Sequence, residues 1–189
     1  MKRNPKIPKF KEKVFIICEG IGDKIYLDRI FSFYESKYDI RVIQSNGKQN
    51  IVDKLKDVLI FNPYNEWFIF MDTDVNVKKN IEELECLLDS EEINYKDRLF
   101  FVNPIIEYLY LTSKVDKHPT SYYTKNKYSR IFAKEFGLKE YRGTQKQYEQ
   151  LASQINHDDF EKLILNVKTD ISQCPSSTII SLIDRIIKK

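Results

Sequence analysis

The clearest structural signal in this chain is VFIICEG at residues 14–20, together with WFIFMDTD at residues 67–74. Each stretch is a run of bulky apolar residues that stops at acids, and such a run predicts a strand buried on both faces of a parallel sheet. In an open α/β sheet, ligands bind beyond the carboxyl ends of the strands, so Glu19 should meet Asp72 and Asp74 if their strands are neighbours. Because closely packed carboxylates repel one another unless a cation or proton separates them, the pattern favours a divalent-metal site.

A purely structural interpretation fits part of the same pattern. In it, Asp72, Thr73 and Asp74 cap the helix that follows, and Glu19 lies in a solvated loop. A helix cap accounts for only one of the acids, so the metal site is the preferred interpretation.

Length and composition are those of a globular protein. The 189 residues, 42% of them hydrophobic, suffice for a core domain with a small helical appendage. No apolar stretch approaches the roughly 18 residues that cross a bilayer, so no membrane partner is expected. Residues 1–13 are basic and lack the apolar core of a secretory signal, which leads us to expect a cytoplasmic protein. The widely spaced Cys18, Cys86 and Cys174 favour neither a disulfide framework nor a zinc site.

Strand and helix patterns alternate through the first two thirds of the chain. Strands are predicted at about residues 14–18, 39–43, 66–71 and 98–102, and helices at about residues 22–34, 48–59, 79–88 and 104–112. This alternation predicts an α/β fold with a Rossmann-like three-layer core. The four mostly parallel strands should lie in the order 2-1-3-4, which brings the Glu19 and Asp72 ends together.

Strand signals disappear after residue 122, and the remaining sequence predicts helices only. Their expected positions are about residues 127–136, 144–155, 157–167 and 177 to the end. The predicted organisation is therefore a basic N-terminal arm (residues 1–12), an α/β core (residues 13–113) and a helical extension packed on the core (residues 114–189).

A basic, tyrosine-rich segment runs from Lys114 to Lys146. Basic groups interleaved with aromatic rings suit a phosphate backbone with exposed bases. The alternative is a solvated face whose tyrosines lie partly in the core. The candidate nucleic-acid-binding residues are Lys125, Lys127, Arg130, Lys134 and Arg142, and the interleaved tyrosines are Tyr122, Tyr123, Tyr128, Tyr141 and Tyr148.

Three short motifs follow the first three predicted strands: CEGIGD at residues 18–23, NGK at residues 46–48 and MDTD at residues 71–74. In this order they resemble a Toprim domain, the fold shared by topoisomerases, bacterial primases and nucleases of the overcoming-lysogenization-defect (OLD) family. The resemblance implies that Glu19 is catalytic and that Asp72 and Asp74 hold Mg²⁺, with Mn²⁺ as an alternative ion.

Two further segments are similar to the RloB-like branch of standalone Toprim proteins. They are NPIIEYLYL at residues 103–111, where that branch usually has an aromatic at the position of Ile106, and PSST at residues 175–178. The chain also departs from that branch at Gly22 and Asp23, where a Thr-Glu pair often follows the first motif. RloB-like proteins are found beside a companion ATPase in restriction and phage-defence loci. The resemblance therefore implies a defence effector controlled by a partner ATPase.

Three residues near the expected site have two interpretations each. Asp23 is a second-metal ligand, as the EGxxD spacing of OLD proteins suggests, or it caps the helix that it begins. Glu107 is a further ligand or a general base, or it only complements a helix dipole. Lys48 follows a glycine turn after the second strand, where its ammonium group either meets a substrate phosphate or is solvated.

Hard oxygen ligands at this edge are consistent with phosphodiester cleavage, because Mg²⁺ keeps water positions open for a substrate phosphate. The leading hypothesis is a metal-dependent nuclease acting on DNA or RNA. The second is a catalytically inactive Toprim module that binds nucleic acid or an ATPase. A primase is disfavoured because no zinc motif or polymerising domain is evident, and a topoisomerase because the chain is short. The sequence leaves three questions open: whether the substrate is DNA or RNA, whether one or two metal ions bind, and which oligomeric state the protein has, a homodimer being one possibility.

Overall fold

The computed structural model describes residues 11–74, 76–114 and 125–187, which form a mixed α/β fold around a five-stranded sheet. The elements of its first part are β1 (Lys13–Cys18), α1 (Ile21–Phe31), β2 (Asp39–Gln44), α2 (Ile51–Phe61), β3 (Glu66–Asp72), α3 (Val77–Ser90), β4 (Leu99–Asn103) and α4 (Glu107–Lys114). Those of the second part are α5 (Lys125–Glu135), α6 (Gln145–Ser153), α7 (His157–Asn166), β5 (Ser176–Ser177) and α8 (Ile179–Ile187).

The sheet has the strand order β2-β1-β3-β4-β5. Strand β1 is parallel to β2 and β3, and β3 is parallel to β4, so the carboxyl ends of these four strands share one edge. At that edge Cys18 of β1 lies opposite Phe70 of β3. The predicted order 2-1-3-4 and the Rossmann-like α/β class are confirmed.

Alternate residues of the central strands face two helical layers. In β1, Ile16 and Cys18 belong to one buried cluster and Phe15 and Ile17 to the other, because successive side chains of a strand point to opposite faces. The first cluster contains side chains of α1, α4 and α5 to α8, whereas the second contains those of α2 and α3. Burial on both faces explains why these strands are almost continuously apolar.

The helices of residues 125–187 share the core of the sheet. Phe132 of α5, Leu151 of α6, Leu163 of α7 and Leu182 of α8 are fully buried in the cluster that includes Ile16 of β1. Each such side chain contributes about 1.5–3 kcal/mol on burial. The helical segment is therefore held against the α/β layers by its own apolar residues.

Strand β5 departs from the expectation that only helices follow residue 122. Ser176 and Ser177 pair antiparallel with Asn103 and Val102 of β4. Two polar residues produce no apolar alternation, so no sequence pattern marks this strand. It exists because the edge of β4 offers backbone partners to a segment that is distant in sequence.

The start of α4 also differs from the prediction, which placed it at Pro104. The helix begins at Glu107, and the carbonyl of Pro104 accepts a hydrogen bond from the backbone N–H of Asp74 at 2.9 Å. This carbonyl therefore links the loops after β3 and β4 instead of opening a helix. Residues 1–10, Tyr122 and Tyr123 lie outside the described residues. Within those that are described, no helix combines the length and apolarity needed to cross a membrane.

Candidate functional site

Five carboxylates line one cavity of about 390 Å³ at the carboxyl edge of the sheet. They come from a strand end, from the loop just after a strand or from the first turn of a helix, and the adjacency of β1 and β3 brings these ends together. All five were candidates from the sequence, and the structure places them in the same cavity. They are Glu19, Asp23, Asp72, Asp74 and Glu107.

Asp72 is the last residue of β3 and is half-buried as a whole residue. Its Oδ1 atom is buried and has no hydrogen-bond partner among the described residues. Burial raises the pKa of Asp72 well above its ordinary value, and the charges of Asp23, Glu107 and Glu19 raise it further, while a backbone hydrogen bond from Ile106 lowers it. A carboxyl in this environment either holds a proton or requires a cation.

Asp23 uses its two oxygens differently. Oδ2 accepts a hydrogen bond from the backbone N–H of Gly20 at 2.8 Å, which caps the first turn of α1. Oδ1 is buried and has no partner among the described residues. Burial raises the pKa of Asp23 to about 7, and the charges of Glu19 and Glu107 add to the effect of burial. The capping role expected for Asp23 is present, and one oxygen is still available to a ligand.

Glu19 and Asp74 lie on the more accessible side of the cavity. The backbone carbonyl of Glu19 accepts hydrogen bonds from the Gly47 N–H at 3.1 Å and the Ser45 hydroxyl at 3.3 Å, which fixes the loop after β1. Burial and the charge of Asp74 raise the pKa of the Glu19 side chain, whereas the charge of Lys48 lowers it. Asp74 is exposed and has a left-handed backbone with a φ of 50°.

Neither acid of the Asp72–Asp74 pair caps α3. The N-cap is Asn76, whose side-chain oxygen accepts a hydrogen bond from the backbone N–H of Lys79 at 3.2 Å. The structural interpretation of this motif as a helix cap is therefore wrong. Thr73, between the two acids, is buried and donates its hydroxyl to the carbonyl of Val102 at 3.2 Å.

Lys48 lies beside the site and not in the cavity lining. Its Nζ atom donates to Asn80 Oδ1 at 2.5 Å and to Glu83 Oε2 at 3.0 Å, both on α3. Asn80 in turn donates its side-chain amide to the carbonyl of Thr73. Through Asn80, Lys48 thus ties the loop after β2 to Thr73, in the loop between β3 and α3 that also carries Asp74. Its contact with a substrate phosphate stays a prediction.

Glu107 is the first residue of α4 and is almost completely buried. Its Oε1 atom accepts hydrogen bonds from the hydroxyls of Tyr141 at 2.7 Å and Tyr148 at 2.9 Å. The ring of Tyr148 also lines the cavity. In the sequence these tyrosines were interpreted as nucleic-acid-binding aromatics. Their contact with Glu107 could not be predicted, because no local pattern links them to a glutamate more than thirty positions away.

The carboxylates of the cavity suit a cation that keeps several water ligands better than a cation whose ligands all come from the protein. In the described parts of the chain, no group of three or more His, Cys, Asp or Glu side chains could hold a metal ion as they stand. The predicted ligands Glu19, Asp23, Asp72 and Asp74 therefore share a cavity without forming a coordination shell. Mg²⁺ is commonly bound through one or two carboxylates and keeps several waters, and the two unpaired Oδ1 atoms of Asp23 and Asp72 are hard donors of that kind.

The basic segment divides into an exposed face and a buried face. Lys127, Arg130, Lys134 and Arg142 are exposed, and Arg142 pairs with Glu140 at 2.8 Å. Residues 115–124 and the side chain of Lys125 lie outside the described part. The three interleaved tyrosines that the structure describes are buried, which excludes them as exposed platforms for bases and corrects that part of the prediction: Tyr128, Tyr141 and Tyr148.

Comparison with solved structures finds a similarity in fold. No family model matches the chain, and no curated protein matches it. Among solved structures, the chain is similar to the C-terminal region of the Burkholderia pseudomallei OLD protein, with a TM-score of 0.48 and 13% sequence identity. The match covers 82% of this chain and 98% of that one. A likeness at this level assigns no function, so the function is argued from the site itself.

Proposed function

We propose that this chain is a metal-dependent nuclease that hydrolyses phosphodiester bonds of DNA or RNA. The observation that carries the proposal is the cavity shared by five carboxylates, in which Asp23 and Asp72 each have a buried oxygen without a hydrogen-bond partner among the described residues. Folded proteins seldom leave buried polar atoms unsatisfied unless water, an ion or a ligand pairs with them. A purely structural role does not explain the grouping, since the mutual repulsion of the acids destabilises the fold.

The unpaired oxygens of Asp23 and Asp72 would hold the cation, and Glu19 and Asp74 would complete its surroundings on the open side of the cavity. When bound, Mg²⁺ or Mn²⁺ polarises a phosphoryl oxygen and makes a coordinated water more acidic. Glu107, fixed by two hydroxyls, orients water at the cavity wall. Without a cation, burial raises the pKa of Asp23 and of Asp72 and favours their protonated forms. Cation binding therefore releases protons from these two carboxyl groups.

Cleavage assays test this proposal. The purified chain is incubated with supercoiled plasmid, single-stranded DNA and tRNA in EDTA, Mg²⁺ or Mn²⁺. We expect metal-dependent cleavage of at least one substrate and a loss of about 100-fold or more in Asp72→Ala. The matched control is Asp57→Ala, because Asp57 is an exposed acid on α2 that pairs only locally with Lys54 in the described structure. Cleavage that survives Asp72→Ala, or a wild-type chain that cuts none of the three, contradicts the proposal.

A second candidate is a catalytically inactive Toprim-like module that binds nucleic acid or an ATPase. The lack of a three-ligand group in the described residues favours it. The two candidates differ in their dependence on metal. A binding module binds plasmid, single-stranded DNA or tRNA with the same affinity in EDTA and in Mg²⁺, and it cuts none of them. The nuclease cuts at least one of them, and only when metal is present.

The proposal extends to control by a companion ATPase in phage defence. Its support is the similarity of residues 103–111 and 175–178 to segments of RloB-like proteins. Co-expression with an ATPase encoded by a neighbouring gene tests this part. We expect the two proteins to co-purify and the ATPase to change the cleavage rate, and a rate that is the same with and without it removes the regulatory claim.

A further inference from the structure

Two buried tyrosines of the C-terminal helical segment converge on a single oxygen of Glu107. The hydroxyl of Tyr141 lies 2.7 Å from Glu107 Oε1 and that of Tyr148 lies 2.9 Å from the same atom. Both tyrosines are buried. Orienting a water requires only one free oxygen of Glu107, so the two donors on the other oxygen need a separate explanation.

The double contact determines which Glu107 oxygen is available to a ligand. A carboxylate oxygen has two lone pairs, so two phenolic donors occupy Oε1. Hydrogen bonds to an ionised acceptor are stronger than neutral ones, and they fix the orientation of the carboxylate. Burial and the charge of Glu107 raise the pKa of both phenols, which therefore remain protonated donors. Neither tyrosine hydroxyl contacts Oε2, which is the Glu107 oxygen left for a ligand.

Local sequence features bring the two hydroxyls together. Gly143, between the tyrosines, has a left-handed backbone with a φ of 67°, and an added Cβ there would lie 3.4 Å from the Tyr148 hydroxyl. Thr144 then caps α6 through the backbone N–H of Gln147, so Tyr148 enters in the first turn of a well-defined helix. Gly22 of α1 leaves room for the Tyr148 ring, since a Cβ at Gly22 would lie 2.6 Å from it.

Ring contacts hold the tyrosines in place independently of their hydroxyls. Tyr141 stacks on Phe132 of α5 with a centroid distance of 4.7 Å, and Tyr148 packs against Tyr110 of α4 at 5.8 Å. The two tyrosine rings meet edge to face at 6.1 Å. Phenylalanine at either position would retain these ring contacts and lose the hydroxyl, with its hydrogen bonds to Glu107 and to the other tyrosine.

We propose that Tyr141 and Tyr148 are positioning residues of the active site, which hold Glu107 so that Oε2 alone faces the cation or its bound water. This inference rests on the proposed metal-dependent function. It assigns to the C-terminal helical segment a part in building the metal site. Loss of the two hydroxyls frees the Glu107 carboxylate to rotate, and the cavity then binds a divalent cation less tightly.

Mn²⁺ binding to the full chain tests the inference without any substrate, with the free ion measured by electron paramagnetic resonance. We expect the Kd for Mn²⁺ to rise about 10-fold or more in Tyr141→Phe/Tyr148→Phe, the range typical of residues that orient metal ligands. The single variants should show smaller increases. The matched control is Tyr26→Phe, because Tyr26 is equally buried but its hydroxyl contacts Ser113 at 2.9 Å and lies outside the cavity lining. Its Kd should stay within about 2-fold of wild type.

A double-mutant cycle separates positioning from general damage to the fold. In a Glu107→Gln background, Tyr141→Phe/Tyr148→Phe should weaken Mn²⁺ binding no further, because the tyrosines act through the Glu107 carboxylate. An equal loss of Mn²⁺ affinity in both backgrounds, or a wild-type Kd in Tyr141→Phe/Tyr148→Phe, overturns this inference and leaves the proposed function standing. A wild-type chain that binds no Mn²⁺ overturns the proposed function and this inference with it. If the double variant does not fold, the single variants give the same comparison.

Discussion

At the scale of single residues, Asp23 serves the fold and the site at once. Its Oδ2 atom caps α1 through Gly20, whereas its Oδ1 atom is buried without a partner among the described residues. The cap alone would be equally well provided by an asparagine, whose side-chain oxygen also accepts a hydrogen bond. The carboxyl group therefore adds a charge that the helix does not need, at a position where burial raises its pKa to about 7.

This pKa predicts how the stability of the metal-free protein depends on pH. A carboxyl whose pKa is raised by folding contributes stability that is fully present below its ordinary value of 3.8 and is lost as the pH rises through about 7. The free energy of unfolding in EDTA should therefore fall by on the order of a few kcal/mol between about pH 4 and pH 7. Urea denaturation at several pH values measures it. Asp23→Asn should flatten the profile, and an equally steep profile in that variant would assign the effect elsewhere.

Gly22 gives a second prediction at this scale, because its missing side chain makes room for Tyr148. A Cβ at Gly22 would lie 2.6 Å from the Tyr148 ring, although alanine is intrinsically favoured over glycine inside a helix such as α1. Gly22→Ala should therefore destabilise the protein by about 1–3 kcal/mol in urea denaturation. The control is Gly20→Ala, where the nearest atom would be 3.5 Å away. A stabilised Gly22→Ala variant would mean that the two residues are not in contact.

At the scale of elements, α5 shows why the basic, tyrosine-rich segment has two faces. Tyr128 and Phe132 are four positions apart and both buried, so they lie on one side of the helix. Three basic residues lie three and four positions apart on the exposed side of the helix: Lys127, Arg130 and Lys134. The sequence pattern of alternating basic and aromatic residues therefore describes an amphipathic helix, in which only the basic face is available to a partner.

The exposed face of α5 should carry the backbone of a nucleic acid. Alanine at Lys127, Arg130 and Lys134 should flatten log K against log[salt] by up to about 2–3 units, since each phosphate contact contributes about 0.9 on duplex DNA and about 0.7 on single strands. Fluorescence anisotropy over a salt series measures the slope, with cleavage prevented by Asp72→Asn. Alanine at Lys54 and Lys78, which are exposed on α2 and α3, is the control for lost charge. An unchanged slope in the α5 variant would mean that this face is solvated or is a docking surface for a protein partner.

At the scale of the whole molecule, the cavity concentrates negative charge in a protein whose formal net charge is +3. The acids come from the loop after β1, from α1, from the end of β3 and its following loop, and from α4, so the loops around the sheet edge must hold mutually repelling groups together. Backbone hydrogen bonds between these loops provide the restraint, such as Gly47 to Glu19 and Asp74 to Pro104. A bound cation would remove the repulsion.

The thermal stability of the whole chain should therefore depend on divalent metal. A ligand that binds only the folded state stabilises by RT ln(1 + [L]/Kd), about 2.7 kcal/mol at 100 times Kd, which corresponds to a rise in Tm of roughly 5–10 °C for a chain of this size. Asp72→Asn should lose the Mg²⁺-induced rise while its metal-free Tm equals or exceeds that of wild type, because repulsion is relieved. Asp57→Asn should behave like wild type. A metal-free Asp72→Asn protein that is unfolded would show that Asp72 is structural.

The main secondary-structure elements could be predicted from the sequence, whereas most individual side-chain contacts could not. The strands β1 and β3, their order in the sheet and the convergence of Glu19, Asp72 and Asp74 followed from apolar runs that stop at carboxylates. Strand β5 did not, since Ser176 and Ser177 form a strand only by pairing with β4. The role of Asn76 as the cap of α3 was missed because several nearby polar residues are equally good caps in sequence terms.

The alternation of elements, the parallel sheet and the edge at which the acids meet could all be predicted from the chain, because they depend on local apolar periodicity and on the regular geometry of strands. Tertiary packing, in contrast, sets how each acid is satisfied. It gave Asp23 and Asp72 a buried oxygen without a partner among the described residues, paired Lys48 with α3, and placed Tyr141 and Tyr148 on Glu107. The physical reason is that hydrogen bonds between side chains distant in sequence depend on packing to within a few tenths of an ångström, and no local pattern encodes that packing.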